Sequence, residues 1–270
     1  MRSSIKMRSS FKKSLVTGTL AIAALGCAAL AVAAEPEVKL EEHHWHFTGP
    51  FGTYDRAAAQ RGFQIYKEVC SACHSLNMLS YRNIEDLGLT ENQVKGLIAD
   101  IQVPDIGDDG AAIDRPARPS DHFKKPFAND LAAASANGGK APPDLSVMIK
   151  ARASGPDYVY SLLKGYVPFD KLSPEQIKEA SVTKDDNYNK IFAGHRIAMP
   201  PPLADDKVQY ADGTKATLDQ EASDVVEFLA WASEPHLEDR NRIGVRVILF
   251  LLAMAGLMYA VKRQVWADKH

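Results

Sequence analysis

The run Cys70-Ser71-Ala72-Cys73-His74 constrains the folding of this chain more than any other feature. The pattern C-x-x-C-H is the attachment signature of c-type haem. Two thiols at this spacing match the separation of the two haem vinyl groups, and the histidine that follows is brought beneath the iron as an axial ligand. The sequence therefore predicts one haem c, covalently bound to Cys70 and Cys73 and ligated by His74.

Three other sites are compatible with a cysteine pair at this spacing. The thiols could form a disulfide in an exported protein, or could serve a thioredoxin-like site, whose βαβ context is absent from the sequence. A zinc site would need further ligands, and the remaining cysteine, Cys27, lies in a predicted signal peptide. Export favours the haem interpretation, because haem-c proteins are usually assembled outside the cytoplasm.

Residues 1–34 have the layout of a secretory signal peptide. A basic region without acids is followed by an apolar run over 15–34 that ends in Ala-Val-Ala-Ala. The small residues at that end predict cleavage near 33–35. A retained membrane anchor and a lipoprotein acylated at Cys27 are the alternatives, and Ala-Leu-Gly-Cys is a poor match for the second.

The apolar segment 243–261 predicts a membrane-spanning helix near the C-terminus. At 1.5 Å per residue it would span about 28 Å, close to the ~30 Å hydrocarbon core of a bilayer. A buried core helix is the alternative, but the stretch 247–261 is unbroken and apolar. Basic residues flank both ends of this helix, so charge does not indicate which end faces the cytoplasm. The orientation is inferred from the signal peptide, which predicts export of the domain before the helix. We expect an exported domain over 35–240 on the periplasmic side of the inner membrane, an anchor over 241–262 and a cytoplasmic tail over 263–270.

The exported domain is predicted to be mostly α-helical with long loops. Apolar spacing and capping boxes predict helices over 56–69, 89–101, 173–180 and 217–235. Two further short helices are expected within 142–167, broken at Ser154–Pro156. The segments 103–130 and 181–216 are predicted as loops. Loops of this length inside one domain need an organiser beyond their own side chains, and a haem would supply it.

The second axial ligand must come from elsewhere in the chain, unless the iron has an open face. Met78 follows the haem motif too closely to reach the opposite face, and Met148 is expected to pack inside an apolar helix. Met199 lies in a loop stiffened by Pro200–Pro202, which suits a thioether held against iron. His195 is the nearest competitor, and Met199 as a core filler is the other alternative. A His/Met pair closes both iron faces and favours electron transfer, whereas an open face would favour a haem enzyme or gas sensor.

The charge of the exported segment excludes one class of partner and favours another. Residues 35–240 hold 22 basic and 33 acidic side chains, a net charge of −11. Nucleic acid calls for a basic surface, so we expect no nucleic-acid partner. A basic protein would be attracted over a long range. The candidate docking carboxylates are Glu85, Asp86, Asp105, Asp108 and Asp109.

Four stretches in matching order, 49–83, 141–166, 197–203 and 217–263, resemble the cytochrome c1 family, and the resemblance runs from about 38 to 267. The family is the haem-c subunit of the quinol–cytochrome c oxidoreductase (cytochrome bc1) complex, and an unsplit chain with an export signal suggests its bacterial type. The resemblance implies a class I cytochrome c-like haem domain. It also implies an electron carrier that is no enzyme on its own, although the whole complex is an oxidoreductase.

The partners implied are cytochrome b and the Rieske iron–sulfur subunit in a dimeric complex, and a soluble cytochrome c as acceptor. In this family the Rieske subunit delivers one electron to the haem, which passes it to that acceptor. A stand-alone membrane-tethered carrier is the alternative.

The resemblance also assigns roles to individual residues. Cys70 and Cys73 would be the covalent attachment points, and His74 and Met199 the iron ligands. Arg152 would face a haem propionate, or would otherwise be a surface arginine. The haem-wall residues implied are Asn137, Pro142, Pro143, Tyr158 and Leu162. Tyr81 and Arg82 match a family stretch near the haem.

Two further features are interpreted through the resemblance. His43, His44 and His46 could suggest a metal, but fit better with the family's N-terminal lead-in at a subunit interface. The segments 91–114 and 170–192 match the family less well. Neither contains a cysteine, so the extra disulfide of some bacterial relatives is excluded.

Overall fold

Helices dominate the computed structural model, which describes residues 38–269. The predicted signal peptide, with Cys27, lies outside the described residues. The α-helices are α1 (Arg56–Glu68), α2 (Glu91–Ile98), α3 (Asp130–Ala136), α4 (Gly155–Lys164), α5 (Pro174–Ala180), α6 (Leu218–Ser233) and α7 (Leu237–Val265). Two small antiparallel sheets are formed by β1 (Gln102–Ile106) with β2 (Ala112–Pro116), and by β3 (Tyr166–Val167), β4 (Asn187–Asn189) and β5 (Arg196–Ile197). The mostly helical fold class is confirmed.

Helices α1 and α6 pack against each other at the centre of the domain. Gly62 of α1 lies against Asp224 of α6, where an added Cβ would stand 2.0 Å from the Asp224 carbonyl oxygen. The missing side chain therefore lets the two backbones approach closely. Aromatic side chains fill the space around the crossing, namely Phe63, Tyr66, Tyr81, Phe123, Phe228 and Trp231.

Helix α6 is buried on more than its apolar stripe. The predicted stripe is buried as expected, and consists of Ala222, Val225, Val226, Leu229 and Ala232. Three carboxylates, Glu221, Asp224 and Glu227, are buried as well. Arg61 of α1 binds Asp224 with two hydrogen bonds of 2.8 Å, and the Asp55 amide donates to Glu227 at 2.8 Å. Helix α6 therefore contacts α1 through charged as well as apolar groups.

The prediction of continuous loops over 103–130 and 181–216 is wrong in part. The first contains most of the β1–β2 hairpin, and the second contains β4 and β5. Arg115 on β2 stabilises the hairpin by donating to Asp105 on β1 and to Asp121 beyond it. The Pro-, Asp- and Gly-rich composition correctly indicates a turn, but conceals the short strands on either side of it.

The prediction of two helices within 142–167 is also wrong. The only helix there is α4, and residues 142–154 are irregular, with turns at 146–150 and 153–154. The Asp144 carboxylate accepts from the Ser146 amide at 2.8 Å, and this local bond competes with helix formation. Ser154 takes a left-handed φ of 52° just before α4, where Pro156 sits in the first turn. Met148 consequently lies in a turn, half-buried against the core, and not in a helix.

The remaining predicted helices are present, each shorter by one to three residues at its ends. Helix α7 is longer than the predicted anchor. It begins at Leu237, before the anchor, and runs as one unbroken helix through the apolar segment to Val265. Its length and composition suffice to cross a membrane, and none of its apolar window is buried. The C-terminal apolar helix of the predicted fold is therefore confirmed.

Candidate haem site

The cysteine pair lies on a tight turn that directly follows α1. The Val69 amide donates to the Ile65 carbonyl at 2.9 Å at the end of α1, and a single helical turn, Cys70–Ala72, comes next. The amides of Cys73 and His74 both donate to the Cys70 carbonyl, at 3.1 and 2.9 Å. This turn holds the two thiols and the imidazole within one short, hydrogen-bonded unit.

Both thiols are free rather than joined in a disulfide. Cys70 is half-buried and packs against the core, whereas Cys73 is exposed. Burial, with a smaller effect of the Cys73 thiolate, raises the pKa of the Cys70 thiol to about 12. Cys70 is therefore an uncharged thiol at neutral pH.

The imidazole of His74 is oriented by a backbone carbonyl. Its Nδ1 lies 2.8 Å from the Pro143 oxygen, which can only accept, so Nδ1 carries the proton and donates. Nε2 is consequently left as the nitrogen available to a metal. Burial lowers the pKa of His74, against the opposing effects of the Pro143 bond and of Asp144, and so favours the neutral ring that ligates metals.

Asp144 is a site residue that the sequence analysis missed. Its carboxylate accepts from Ser75 Oγ at 2.8 Å and from the Asn77 amide at 2.9 Å, just after the C-x-x-C-H turn. Burial alone would raise the pKa of Asp144, but hydrogen bonds from Ser146, Asn77 and Ser75 together lower it. Asp144 thus fixes the adjacent Pro143 carbonyl relative to His74. A proline followed by an aspartate that can accept backbone amides is the signal that could have revealed it.

The Met199 loop is held by a second residue that was missed, Tyr166. The Tyr166 hydroxyl donates to the Met199 carbonyl at 3.1 Å, and the Met199 side chain is half-buried. Burial raises the pKa of Tyr166, so the hydroxyl keeps its proton and its role as donor. The polyproline run and this hydrogen bond together restrict the loop that carries the thioether.

The competing ligand, His195, is engaged elsewhere. Its Nδ1 lies 3.2 Å from the Asn189 carbonyl oxygen, and its ring stacks on Tyr188 at 5.4 Å between centroids. Both partners belong to β4, the strand that pairs with β5. These contacts tie the His195 ring to the sheet through Nδ1 and the ring face.

The predicted wall residues lie on three separate segments. Asn137 ends α3, where its side chain donates to the Ala133 carbonyl at 2.8 Å. Pro142 is half-buried and belongs to the turn segment that holds His74, and Tyr158 is half-buried in α4. Arg152 is exposed, and within the described residues its guanidinium contacts only the neighbouring Ala151 carbonyl, at 3.2 Å. The Arg152 charge is therefore available to an external carboxylate.

Tyr81 is buried in the hydrophobic core and does not lie on the surface of the site. Its ring packs 4.6 Å from that of Phe123, and its hydroxyl accepts from the Lys124 amide at 3.0 Å. The next residue, Arg82, is exposed. Leu162 of α4 is half-buried, and its carbonyl accepts from Asn189 Nδ2 at 2.8 Å.

The histidine cluster near the N-terminal end of the described chain separates into two kinds of residue. His43 packs between Trp45 and Tyr160, and its Nε2 lies 3.3 Å from Ser223 Oγ. His44 and His46 are exposed. Over 38–269 no group of three or more His, Cys, Asp or Glu side chains is arranged to hold a metal ion.

The donor groups at the site fit a c-type haem. The turn offers two unpaired thiols and an imidazole whose Nε2 is free, and a separate restricted loop offers a thioether. Thioether attachment needs the thiols, and a His/Met iron needs the other two groups. These residues suit a covalently held porphyrin better than zinc, because only one histidine accompanies the cysteine pair.

Comparison with known proteins gives consistent matches along the chain. The model of the Cytochrome C1 family matches residues 45–269, a range that contains the whole described site. The chain is 44% identical over 270 residues to cytochrome c1 of Rhodospirillum rubrum, covering 96% of this chain and 98% of that protein. It is 41% identical to cytochrome b/c1 of Bradyrhizobium diazoefficiens, covering 93% of this chain and 40% of that protein. It is 39% identical to the mitochondrial cytochrome c1 heme protein of Saccharomyces cerevisiae, covering 87% of this chain and 74% of that protein.

Proposed function

The chain belongs to the cytochrome c1 family, and from that premise we propose that Cys70 and Cys73 hold the haem through thioether bonds while His74 and Met199 ligate its iron. Haem is the cofactor of the family, and the chain is the electron-transfer subunit of the bc1 complex. Each thiol would add across one vinyl double bond, forming a sulfur–carbon bond while the thiol proton goes to the other vinyl carbon, so that attachment would consume no oxidant.

The observation that carries the proposal is the hydrogen bond between His74 Nδ1 and the Pro143 carbonyl. It selects the tautomer in which Nε2 is the free nitrogen, and it limits rotation of the ring. Asp144 supports the arrangement by binding Ser75 and Asn77 on the same turn. Such outer partners commonly orient a ligating histidine and increase its basicity.

The opposite face is proposed to be closed by Met199. When bound, the haem supplies a one-electron iron couple, whose potential a His/Met pair raises. Tyr166 holds the Met199 backbone, so the thioether is presented from a restricted loop. With His74 and Met199 both bound to it, the iron would have no open position for oxygen or a small substrate. This favours electron transfer over the reactions of a haem enzyme or gas sensor.

The haem edges are proposed to be surrounded by the wall residues implied by the family resemblance. Arg152 would bind a propionate. This assignment is supported by the exposed guanidinium of Arg152, which has no acidic partner among the described residues. The hydrophobic and proline walls would exclude water. The proposed list of wall residues is Asn137, Pro142, Pro143, Tyr158 and Leu162.

The chain is a membrane-anchored member of its complex. We place the signal peptide at 1–34, the haem domain at 35–240 on the periplasmic side, the anchor at 241–262 and a cytoplasmic tail at 263–270. The relative named cytochrome b/c1 supports a place beside cytochrome b. The Rieske subunit as donor, a soluble cytochrome c as acceptor and a dimeric complex complete the proposal.

The acidic domain suits a basic soluble cytochrome c. Among the candidate docking carboxylates, Asp86, Asp108 and Asp109 are exposed, and the last two lie at the tip of the β1–β2 hairpin. Asp105 is paired with Arg115, so its charge is largely compensated. The exposed carboxylates are therefore better candidates than Asp105.

Carbon monoxide binding to the reduced protein tests the ligand assignment. We expect no binding by the wild type, prompt binding by Met199→Leu, and no binding by the control Met78→Leu, whose methionine is 69% exposed. The midpoint potential of Met199→Leu should fall by on the order of 0.1 V, within the roughly 0.8 V range that axial ligands command. Prompt binding by the wild type would favour the open-face function, and an unchanged potential would exclude Met199. Purification without cytochrome b would favour a stand-alone carrier.

A further inference from the structure

We propose that the turn Gly49–Gly52 is a second membrane contact, in which Phe51 inserts into the lipid interface beside α7. The inference rests on the proposed anchoring of the chain by α7. Phe51 is 79% exposed, although it is one of the largest apolar side chains of the domain. Singly exposed apolar side chains are common on protein surfaces, but Phe51 lies on a turn that contacts the first turns of α7 through Asn241.

The turn that presents Phe51 is tight and well defined. The Gly52 amide donates to the Gly49 carbonyl at 3.2 Å, and Gly49 takes a φ of 84°. A side chain on Gly52 would meet the Phe47 carbonyl oxygen at 2.1 Å, so glycine is required there. Phe51 therefore stands at the tip of a rigid turn and not in a flexible loop.

The same turn is fixed to the first turns of α7. The Asn241 side chain donates to the Gly49 carbonyl at 3.3 Å. Just after the turn, the Tyr54 amide donates to Glu238 Oε1 at 2.8 Å, and Arg56 binds both oxygens of Glu238 at 2.8 and 2.9 Å. The turn and the root of α7 consequently form one hydrogen-bonded unit.

The contact lies at the level where α7 would enter the membrane. Asn241, Gly244 and Val245 are half-buried, whereas the intervening residues 242–243 are exposed. These three positions share one helix face, the face that Gly49 contacts through Asn241. From Asn241 the unbroken apolar run at 247 is only about 9 Å away at 1.5 Å per residue. Phe51 thus lies near the interface between headgroups and acyl chains.

The surroundings of Phe51 favour lipid as the occupant. The turn is continuous with the membrane-spanning helix, and α7 exposes Arg242 and Arg246 at the same level. Guanidinium groups at this depth reach lipid phosphates while their stems remain in the apolar region. An aromatic ring beside basic groups is the composition typical of an interfacial contact. Two attachment points, α7 and Phe51, would fix the tilt of the haem domain on the bilayer.

Photo-crosslinking in native membranes tests the proposal with the full chain. The photoreactive p-benzoylphenylalanine replaces Phe51, and in matched variants it replaces Leu131 or Leu252. Leu131 is 82% exposed on α3 and is the negative control, and Leu252 is 65% exposed within α7 and is the positive control. After irradiation, mass spectrometry of the purified chain identifies phospholipid or peptide adducts. The haem absorbance of each variant verifies its folding.

We expect phospholipid adducts at position 51 at a level several-fold above position 131 and comparable with position 252. An adduct of position 51 with another polypeptide would overturn the proposal and assign the turn to a protein interface. Equal, background-level adducts at positions 51 and 131, with abundant adducts at 252, would also overturn it while leaving the anchor intact. Absence at 252 of adducts with lipid and with any membrane polypeptide would instead refute the anchor, and with it the basis of this inference.

Discussion

Replacement of Arg61 by methionine tests whether the buried ion pair between α1 and α6 holds the domain together. The Asp224 side chain is fully buried and receives two hydrogen bonds of 2.8 Å from Arg61. The variant leaves Asp224 with the Gln220 side chain as its remaining side-chain donor, at 3.0 Å. Breaking one side of such a pair lowers the free energy of unfolding by about 3–5 kcal/mol, because a buried charge loses its partner. At roughly 2–4 °C per kcal/mol for a domain of this size, Tm falls by roughly 6–20 °C.

Thermal unfolding of the detergent-solubilised holoprotein, followed by near-ultraviolet circular dichroism, measures the loss. The signal includes the aromatic packing at the crossing, where Trp231 lies beside Phe228 on α6. The matched control is Arg196→Met, since Arg196 is 57% exposed and pairs with Asp186 at 2.9 Å on the surface. A surface pair contributes at most about 1 kcal/mol.

A second variant separates the lost charge partner from lost packing. Adding Asp224→Leu to Arg61→Met removes the orphaned carboxylate, so the double variant should recover much of the lost stability. The reasoning is refuted if Arg61→Met loses no more than the Arg196→Met control. It is equally refuted if the double variant is less stable than Arg61→Met alone.

Three shorter predictions concern the same domain and its site. Burial raises the pKa of Glu227 from 4.5 to about 7. Between these two pH values the native state keeps a proton that the unfolded chain releases. The free energy of unfolding should therefore fall by about 3 kcal/mol as the pH rises from below 4.5 to above 7. Glu227→Gln should remove that slope in denaturant titrations at pH 5 and pH 8. Tyr166→Phe deletes the hydroxyl that donates to the Met199 carbonyl. The Met199 loop then loses about 1 kcal/mol of hydrogen-bond stabilisation. The thioether should therefore leave the iron more often, and the variant should bind carbon monoxide slowly whereas the wild type does not bind it. Gly62→Ala should cost about 1–3 kcal/mol by overpacking, whereas Gly96→Ala in α2, with open space around it, should stabilise by up to about 1 kcal/mol.

Local signals allowed most of the helices to be predicted from the sequence. Ser173 and Thr217 accept from the amides of Gln176 and Gln220 three residues later, and both helices begin where those pairs indicate. The β1–β2 hairpin could not be predicted in this way. It depends on Arg115 reaching Asp105 and Asp121, and composition alone does not report such pairing.

The haem motif and the proline-braced methionine were evident because their chemistry is local in sequence. Asp144 and Tyr166 were missed because they act through contacts between distant segments. The Asp144 carboxylate binds residues 67 and 69 positions away, and Tyr166 binds the Met199 carbonyl 33 positions away. Similarly, the amphipathic stripe of α6 gave no sign that Glu221, Asp224 and Glu227 would be buried, since their partners lie on other segments.

Helix α1 connects the two functional ends of the domain. At its N-terminal end Arg56 binds Glu238 of α7, and after its C-terminal end comes Cys70, the first proposed haem attachment point. Its 13 residues span about 20 Å at 1.5 Å per residue. Because α1 also packs closely on α6, which leads directly into α7, bending between the two ends is resisted by both helices. If Cys70 holds the haem as proposed, this packed helix pair, rather than a flexible tether, would set the height of the haem above the membrane. Such an arrangement would suit the proposed Rieske donor in the same complex, since electron transfer depends on a reproducible distance between the two centres.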